Sequence, residues 1–531
     1  MTVLDPTLDP TLDPTLDDTD LMGLPEPPQA APVIAMSPPS SLTRGDAVKF
    51  LQRATFGGTV IEVDRLQTIG LTAWFYEQFD LVVQETNLSR MQRHPSPTSN
   101  SNLHSVLWEG FLSDPAQLRK RCSYAMSQIL VVGKSEFSPQ TMTVYADILE
   151  THAFGTFRNL LEHVTLSSAM GRWLTYSNNR KANASGRVPD ENFAREVMQL
   201  FTVGLWQLDL DGTRLQQAGH DVPTYDQNDV AGLARVFTGW TTNGDISPMR
   251  PQPSNLSASY ESGEKRFLGA VIPAGLGITA SLTAALDVLA NHPNVAPFIS
   301  RQLIQRLVTS NPSRDYVRRV ASVFLDDGIG VRGNLGAVYR AILTDPEAWT
   351  TEPAATFGKL REPVLRFSTI MRALGISNTA WPWNLNGLSD PATRLGQQPY
   401  DSPSVFNFYR PGYTPPSTPI AADNLVAPEF QIVDETSVIG WLNFTSDFIR
   451  SPYSRMALSI DDLRTLSIDA AALVDEITAR LLPRPLPPAL RTRIVTAVAA
   501  NTNSTTTTRS LERVVVAVTL VAASTPFLHE R

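Results

Sequence analysis

Along most of the chain apolar residues recur at three- and four-residue intervals, the spacing that gathers them into one stripe of an α-helix. From Ser41 the run SLTRGDAVKFLQRATFG sets Val48, Leu51 and Phe56 among basic residues and stops on Gly57 and Gly58, which predicts a first helix closed by glycine. A second helix is predicted from Val60, and a Ser- and Asn-rich stretch at 95–102 reads as a loop. Helical spacing then returns at 103–112, 118–132, 141–157, 190–203, 227–238, 282–291, 295–309 and 314–326. It continues at 331–344, 357–374, 435–449, 459–463, 469–481, 487–499 and 508–523. Strand-type alternation is scarce: RFLGAVIPAG at 266–275 fits one short hairpin. The expected fold class is therefore all-α, a large assembly over residues 42–531 read as one intertwined domain, with lobes at 42–245 and 266–531 as the other division.

The first forty residues depart from this pattern. TLDP occurs three times and decays to TLDD before a Pro- and Ala-rich stretch, so proline at every fourth position forbids a helix and little apolar surface is available to offset ordering. Residues 1–40 are expected to be a disordered tail. Proline, 40 residues in all, is also dense at 376–420 and 483–488, where irregular backbone is expected.

Charge excludes more than it assigns. The formal net charge is −8, and Lys and Arg are scattered, which argues against a nucleic-acid groove. No apolar run reaches the ~18 residues of a membrane span. The N-terminus shows neither the basic nor the apolar region of a secretory signal. Cys122 is the single cysteine, so no intrachain disulfide can form, and its helical, apolar setting reads as inert core.

The most informative segment is PDENFAREVMQLFTVGL at 189–205. Asp190 or Glu191 can serve the helix start, and Asn192, Arg195, Glu196 and Gln199 follow at i, i+3, i+4 and i+7, which places all four on one helical face. Phe193, Val197, Leu200 and Phe201 form the opposing apolar side. That polar row is either a solvated face that bonds neighbouring loops or one wall of a ligand cleft. Downstream, DVPTYDQNDVAGLARVFTGW puts Tyr225, Asp226 and Asp229 at a helix start and Arg235 and Trp240 near its end; Asp226 fits an N-cap with Asp229 as its capping-box partner. Asp209, Asp211 and Gly212 resemble the opening of a calcium loop, but the twelfth position is His220 rather than Glu, so a β-turn is expected.

None of the seven histidines forms an i, i+4 pair, so a zinc helix is not encoded locally. His152 and His292 lie in apolar helical contexts, where a hydrogen-bonded structural role is the ordinary one. No nucleophile elbow, Walker loop or dinucleotide fingerprint is present, and GIGVRG at 328–333 reads as a loop between helices. Metal and cofactor stay unassigned.

Seven segments together carry a resemblance: FLQRATFGGT at 50–59, HAFGTFRNLL at 152–161, ENFAREVMQLFTVG at 191–204, YDQNDVAGLARVFTGW at 225–240, HPNVAPFISRQLI at 292–304, REPVLR at 361–366 and LGQQPYDSPSVFNFYRPGY at 395–413. In this order they resemble domain-of-unknown-function family 1800, a bacterial group of long, largely helical proteins, over about residues 42–530. The resemblance implies that Arg53, His152, Asn192, Arg195, Glu196, Tyr225, Asp229, Arg235, Trp240 and His292 belong to the family's pattern; Gln199 stands where the pattern commonly has Glu, which weakens a hard-metal reading of that face. It also implies an extracytoplasmic setting beside a sulfatase-like protein partner.

Three functional classes follow. The leading one is a protein of unassigned activity with a polar cleft built from the 192–199 face, the 225–240 helix and His152, in which Asn192, Gln199, Tyr225, Arg235 and Trp240 are candidate ligand-binding residues, serving an extracytoplasmic or envelope-associated process; its enzymatic alternative is a hydrolase with Glu196 or Asp229 as general base and Arg195 stabilising negative charge. The second is a non-catalytic assembly protein that uses the same row for internal bonds and engages a partner through 376–420. The third, a cofactor carrier, would require His152 or His292 in an apolar pocket.

Overall fold

Several helix starts in this chain carry threonine or aspartate, and the structure, a computed structural model, shows these working as caps. It describes residue 39 and residues 41–133, 137–350, 354–502 and 505–531, so the expected tail at 1–40 lies outside the described residues apart from its position 39. Thr43 with Asp46 and Thr59 with Glu62 form capping boxes that begin the helices Arg44–Ala54 and Val60–Asp80. Asp226 with Asp229 does the same for Gln227–Ala234, and Asp434 with Ser437 for Glu435–Arg450. Each box satisfies amides that a helix start leaves without an internal partner.

Helix makes up 53% of the chain and strand 6%, so the protein is mainly helical, as the spacing predicts. One buried apolar cluster runs from Leu42 to Phe527 and draws on both halves of the sequence. The strands are short antiparallel pairs. Lys265–Phe267 with Ala270–Ile272 is the expected hairpin, while Lys359–Leu360 pairs with His529–Glu530 and ties the end of the described chain to its middle. Among the described residues no helix is long and apolar enough to cross a membrane.

Several predicted helices are shorter or divided. The 118–132 element ends at Ser127, and the 141–157 element is two helices, Pro139–Thr151 and Phe157–Thr165, broken where the amide of Gly155 turns back onto the His152 carbonyl at 3.1 Å. The 331–344 and 357–374 helices begin at Leu335 and Pro363; three glycines with positive φ fill the loop before the first, and proline at the first helical position sets the second. The Asp209–Asp211 segment is a turn, with Gly212 donating to the Asp209 carbonyl at 2.9 Å and Asp211 engaged with Arg318.

The core also contains charge. Glu362 of the REPVLR segment is fully buried, and one of its oxygens accepts hydrogen bonds from Gln128 (2.8 Å), Gln397 (2.6 Å), Tyr409 (2.8 Å) and Tyr124 (3.3 Å). Two segments of the resemblance, 361–366 and 395–413, therefore meet at one carboxylate. Lys359 and Glu429 form a buried ion pair at 2.9 Å close by. A buried carboxylate is tolerable only when donors replace the water it lost, and here four side chains from two parts of the chain, 124–128 and 397–409, supply them.

Candidate functional site

The 190–203 segment starts as an α-helix, Asn192–Glu196, and at Val197 widens into a π-turn that runs to Thr202. The expectation of one uninterrupted α-helix is thus corrected. The widened turn is fixed by the Thr202 hydroxyl on the Val197 carbonyl at 2.6 Å and by the Val203 and Gly204 amides on the Met198 carbonyl at 3.0 and 2.9 Å. Gly204 closes it with φ of 73°, and a Cβ there would sit 2.8 Å from the Phe298 ring, so the position requires glycine. Phe193, Val197, Met198 and Phe201 are buried; Phe193 stacks on Tyr176 at 4.3 Å and meets Phe237 edge-on at 4.6 Å. The apolar side is thereby anchored and the polar side turned outward.

Glu196 lies at the junction of the two helical forms. It is half-buried, and its Oε2 is enclosed without a hydrogen-bond partner among the described residues. Burial raises its carboxyl to about 7, with Arg195 pulling the other way. The Tyr225 phenol is pushed up to about 12, first by burial; Arg195 opposes that and Glu196 adds to it, so the three side chains share one field. π-turns within helices recur at functional sites, and a carboxyl that titrates near neutrality is the usual mark of an acid–base group.

The rest of the polar row is committed to structure. Arg195 Nη2 donates to Gln227 Oε1 at 2.9 Å and to Glu191 Oε2 at 3.3 Å, and Gln227 Nε2 donates to the same Glu191 oxygen at 2.7 Å. This triangle joins the helix to the start of Gln227–Ala234. Asn192 is exposed; its amide donates to Asp190 Oδ1 at 2.8 Å and its side chain reaches Thr175 at 3.4 Å. Gln199, carried around by the wider turn, makes no hydrogen bond to that row.

Asp229 is placed differently. Its Oδ2 accepts the Asp226 amide at 2.9 Å and its Oδ1 the Leu268 amide at 2.6 Å, so the carboxylate closes a cap and holds the 265–272 hairpin against the helix. Arg235 faces Glu261 at 3.7 Å. Trp240 is buried with its indole N–H unpartnered, and its carbonyl accepts from Asn178 at 2.8 Å. His152 ends its helix and stacks on His163 at 3.9 Å; burial, then His163, lowers its pKa. His292 ends the Ile278–Asn291 helix, accepts the Asn294 amide at 3.2 Å and is held down to about 4 by burial. Among the described residues no hydrogen bond, ion pair or ring contact joins His152, Arg235 or Trp240 to Glu196.

Grooves of about 690, 540 and 330 Å³ are all lined by residues outside 190–240. Among the described residues no group of three His, Cys, Asp or Glu side chains is disposed to hold a metal ion. Sequence reasoning passed over Gln227, a plain polar residue next to the Asp226 cap, and Tyr176, which stands outside every segment singled out. Only the ring stacking of Tyr176 reveals its place beneath the Asn192–Glu196 helix.

Comparison with known proteins bears on this chain at the family level. No curated protein and no solved structure matches it. The family model described as "Protein of unknown function (DUF1800)" matches residues 49–529, nearly the whole described chain, and so includes the Glu196 junction, the Arg195–Glu191–Gln227 triangle and the Glu362 node. The chain belongs to the DUF1800 family of proteins of unknown function.

Proposed function

We propose that Glu196 is the acid–base group of a small polar site and that the protein uses it to move a proton during hydrolysis of a bound ligand. One observation carries this reading: a half-buried carboxyl at the α-to-π junction, raised to about 7, with an enclosed oxygen that has no hydrogen-bond partner among the described residues. Such a group is deprotonated often enough at neutral pH to accept a proton from water and protonated often enough to return it. Tyr225 is a neutral donor beside it, and the Arg195 guanidinium supplies positive charge in the same field. Asp229 is the weaker choice of base, since both its oxygens already accept backbone amides.

The test is a screen of the purified full chain against ester, amide, glycoside, phosphate-ester and sulfate-ester substrates, with Glu196→Gln, Tyr225→Phe and Asp229→Asn alongside. Turnover that falls by roughly 10²-fold or more in Glu196→Gln, the range of a lost acid–base group, supports the reading. Turnover that survives Glu196→Gln unchanged refutes it.

The second reading, a non-catalytic assembly protein, is favoured by the Arg195–Glu191–Gln227 triangle, because those bonds spend the polar row on internal contacts. The family resemblance adds an extracytoplasmic or envelope-associated setting and a sulfatase-like partner. Co-expression with such a protein, followed by co-purification with the wild type and with a variant altered in 376–420, tests that reading separately from catalysis.

A further inference from the structure

Another concentration of unspent polar groups lies where the Arg44–Ala54 helix, the 359–361 strand region and the last described residues converge. Lys49, Arg53, Arg361 and Arg531 line a narrow pocket of about 10 Å³ in which Glu530 is the lone carboxylate. Arg361 gives its Nε to Glu530 at 2.8 Å and its Nη2 to Gln52 at 2.9 Å, yet its Nη1 is buried without a partner. Arg53 gives Nη1 to the Ala348 carbonyl at 2.5 Å, and its Nη2 is likewise buried and unpartnered. The two residues are only 5% and 2% exposed. Leaving buried charged donors unmatched is among the more costly arrangements a fold can hold.

The pocket's shape limits what can match them. Its volume admits about one water-sized group, so a single oxygen of a ligand enters and the rest lies outside. It shares Pro483, Pro526, His529 and Arg531 with an open groove of about 690 Å³ whose walls include Leu482, Pro485, Pro487 and Leu490. A ligand that suits both has one small anionic end and an apolar body.

We infer that this pocket and groove form a binding site for an organic carboxylate with an aliphatic body, one carboxylate oxygen taking the free N–H groups of Arg53 and Arg361 and the aliphatic part lying along Pro483–Pro487. The site shares no residue with the Glu196 site. Lys49 agrees with it: burial first, then the charges of Arg53 and Arg484, lower its ammonium to about 7, and that penalty is relieved when an anion enters. Planar carboxylates pair with guanidinium N–H groups in short, charge-assisted bonds.

Isothermal titration of the full chain with octanoate, octylamine, acetate and inorganic phosphate tests the site. Octanoate is expected to bind, acetate more weakly for want of the apolar body, and octylamine and phosphate not measurably. Lys49→Met, a half-buried position whose change leaves both guanidiniums in place, is expected to weaken octanoate roughly tenfold, the scale of one charge-assisted contact. Arg531→Gln is expected to act in the same direction. Should Arg53→Gln fail to fold, the Lys49 ammonium titration followed by NMR remains decisive: octanoate is expected to raise it. Equal binding of octanoate and octylamine, octanoate affinity unchanged in Lys49→Met and Arg531→Gln, or a wild-type Lys49 titration that octanoate does not move, overturns the inference.

Discussion

Glu196 is a carboxyl that the fold holds against its own ionisation, and that makes a prediction about stability rather than activity. Its pKa stands at about 7 in the folded chain against an ordinary 4.5, with burial as the cause. A group raised in this way favours the folded state fully below its unfolded value and loses that contribution as pH rises through the folded value. The difference corresponds to ~3 kcal/mol at most, and residual solvent contact brings the expectation to ~2–3 kcal/mol. In Glu196→Gln the side chain keeps its shape and cannot ionise. The variant should therefore match the wild type near and below pH 4.5 and become progressively the more stable protein as pH rises from there, with most of the gap present at pH 7 and the gap complete by about pH 8.

A folded body of this size unfolds with an entropy on the order of 1 kcal/mol/K, so the gap should read as a Tm difference of ~2–3 °C at pH 8 and none at pH 4.5. Scanning calorimetry of both proteins at four or five pH values between these limits measures it. No hydrogen bond to the Glu196 carboxylate exists among the described residues to confuse the comparison. A Tm difference independent of pH would show that Glu196 titrates at its ordinary value, and the acid–base reading of the site would go with it.

Four further outcomes follow from named contacts. Glu362→Gln should cost ~2–4 kcal/mol in denaturant unfolding, since one oxygen now accepts from Gln128, Gln397, Tyr409 and Tyr124 and an amide cannot serve all four; Tyr124→Phe, which removes the longest of these bonds, should cost under ~1 kcal/mol. Gly204→Ala should destabilise by ~1–3 kcal/mol, because its φ of 73° and the Phe298 ring at 2.8 Å both resist a Cβ. Tyr176→Phe should leave thermal stability equal or raise it by up to ~1 kcal/mol, as the hydroxyl it deletes is buried without a partner. Cys122, fully buried with its thiol pushed up by desolvation, should resist iodoacetamide in the native protein and react once unfolded, as mass spectrometry would show.

What the sequence disclosed, and what it hid, divides along a physical line. Local rules were legible: the Asp226–Asp229 box, the hairpin expected at 266–275 and the turn at Asp209 all depend on residues within a few positions of one another. The single-helix reading of 190–203 failed because α and π turns differ by one residue per bond, and apolar spacing over a dozen positions tolerates either. Even so, Arg195 and Glu196 did reach one neighbourhood, since both precede the widened turn; Gln199, inside it, makes no hydrogen bond to the row among the described residues. Asp229 was read both as a cap and as a base, and the Leu268 amide that occupies its second oxygen comes from 39 positions away, where no local pattern reaches.

The same line explains the buried charges. REPVLR and the 395–413 segment stood out by resemblance, but as strings they do not say that Glu362 collects Gln397 and Tyr409, or that Arg361 meets Glu530 across 169 positions. A sequence in which charged residues are few and several of them are buried has assigned those few to particular tasks. One oxygen of Glu362 has four donors, one of Glu429 has the Lys359 ammonium, and Asp229 has two amides. Glu196 Oε2 and the free edges of Arg53 and Arg361 are enclosed without theirs. Other buried charges also keep an unmatched atom, but Glu196 and the Arg53–Arg361 pair are the ones that border the two proposed sites, so their partners are sought outside the chain, a proton and a polar ligand for the first and a carboxylate for the second.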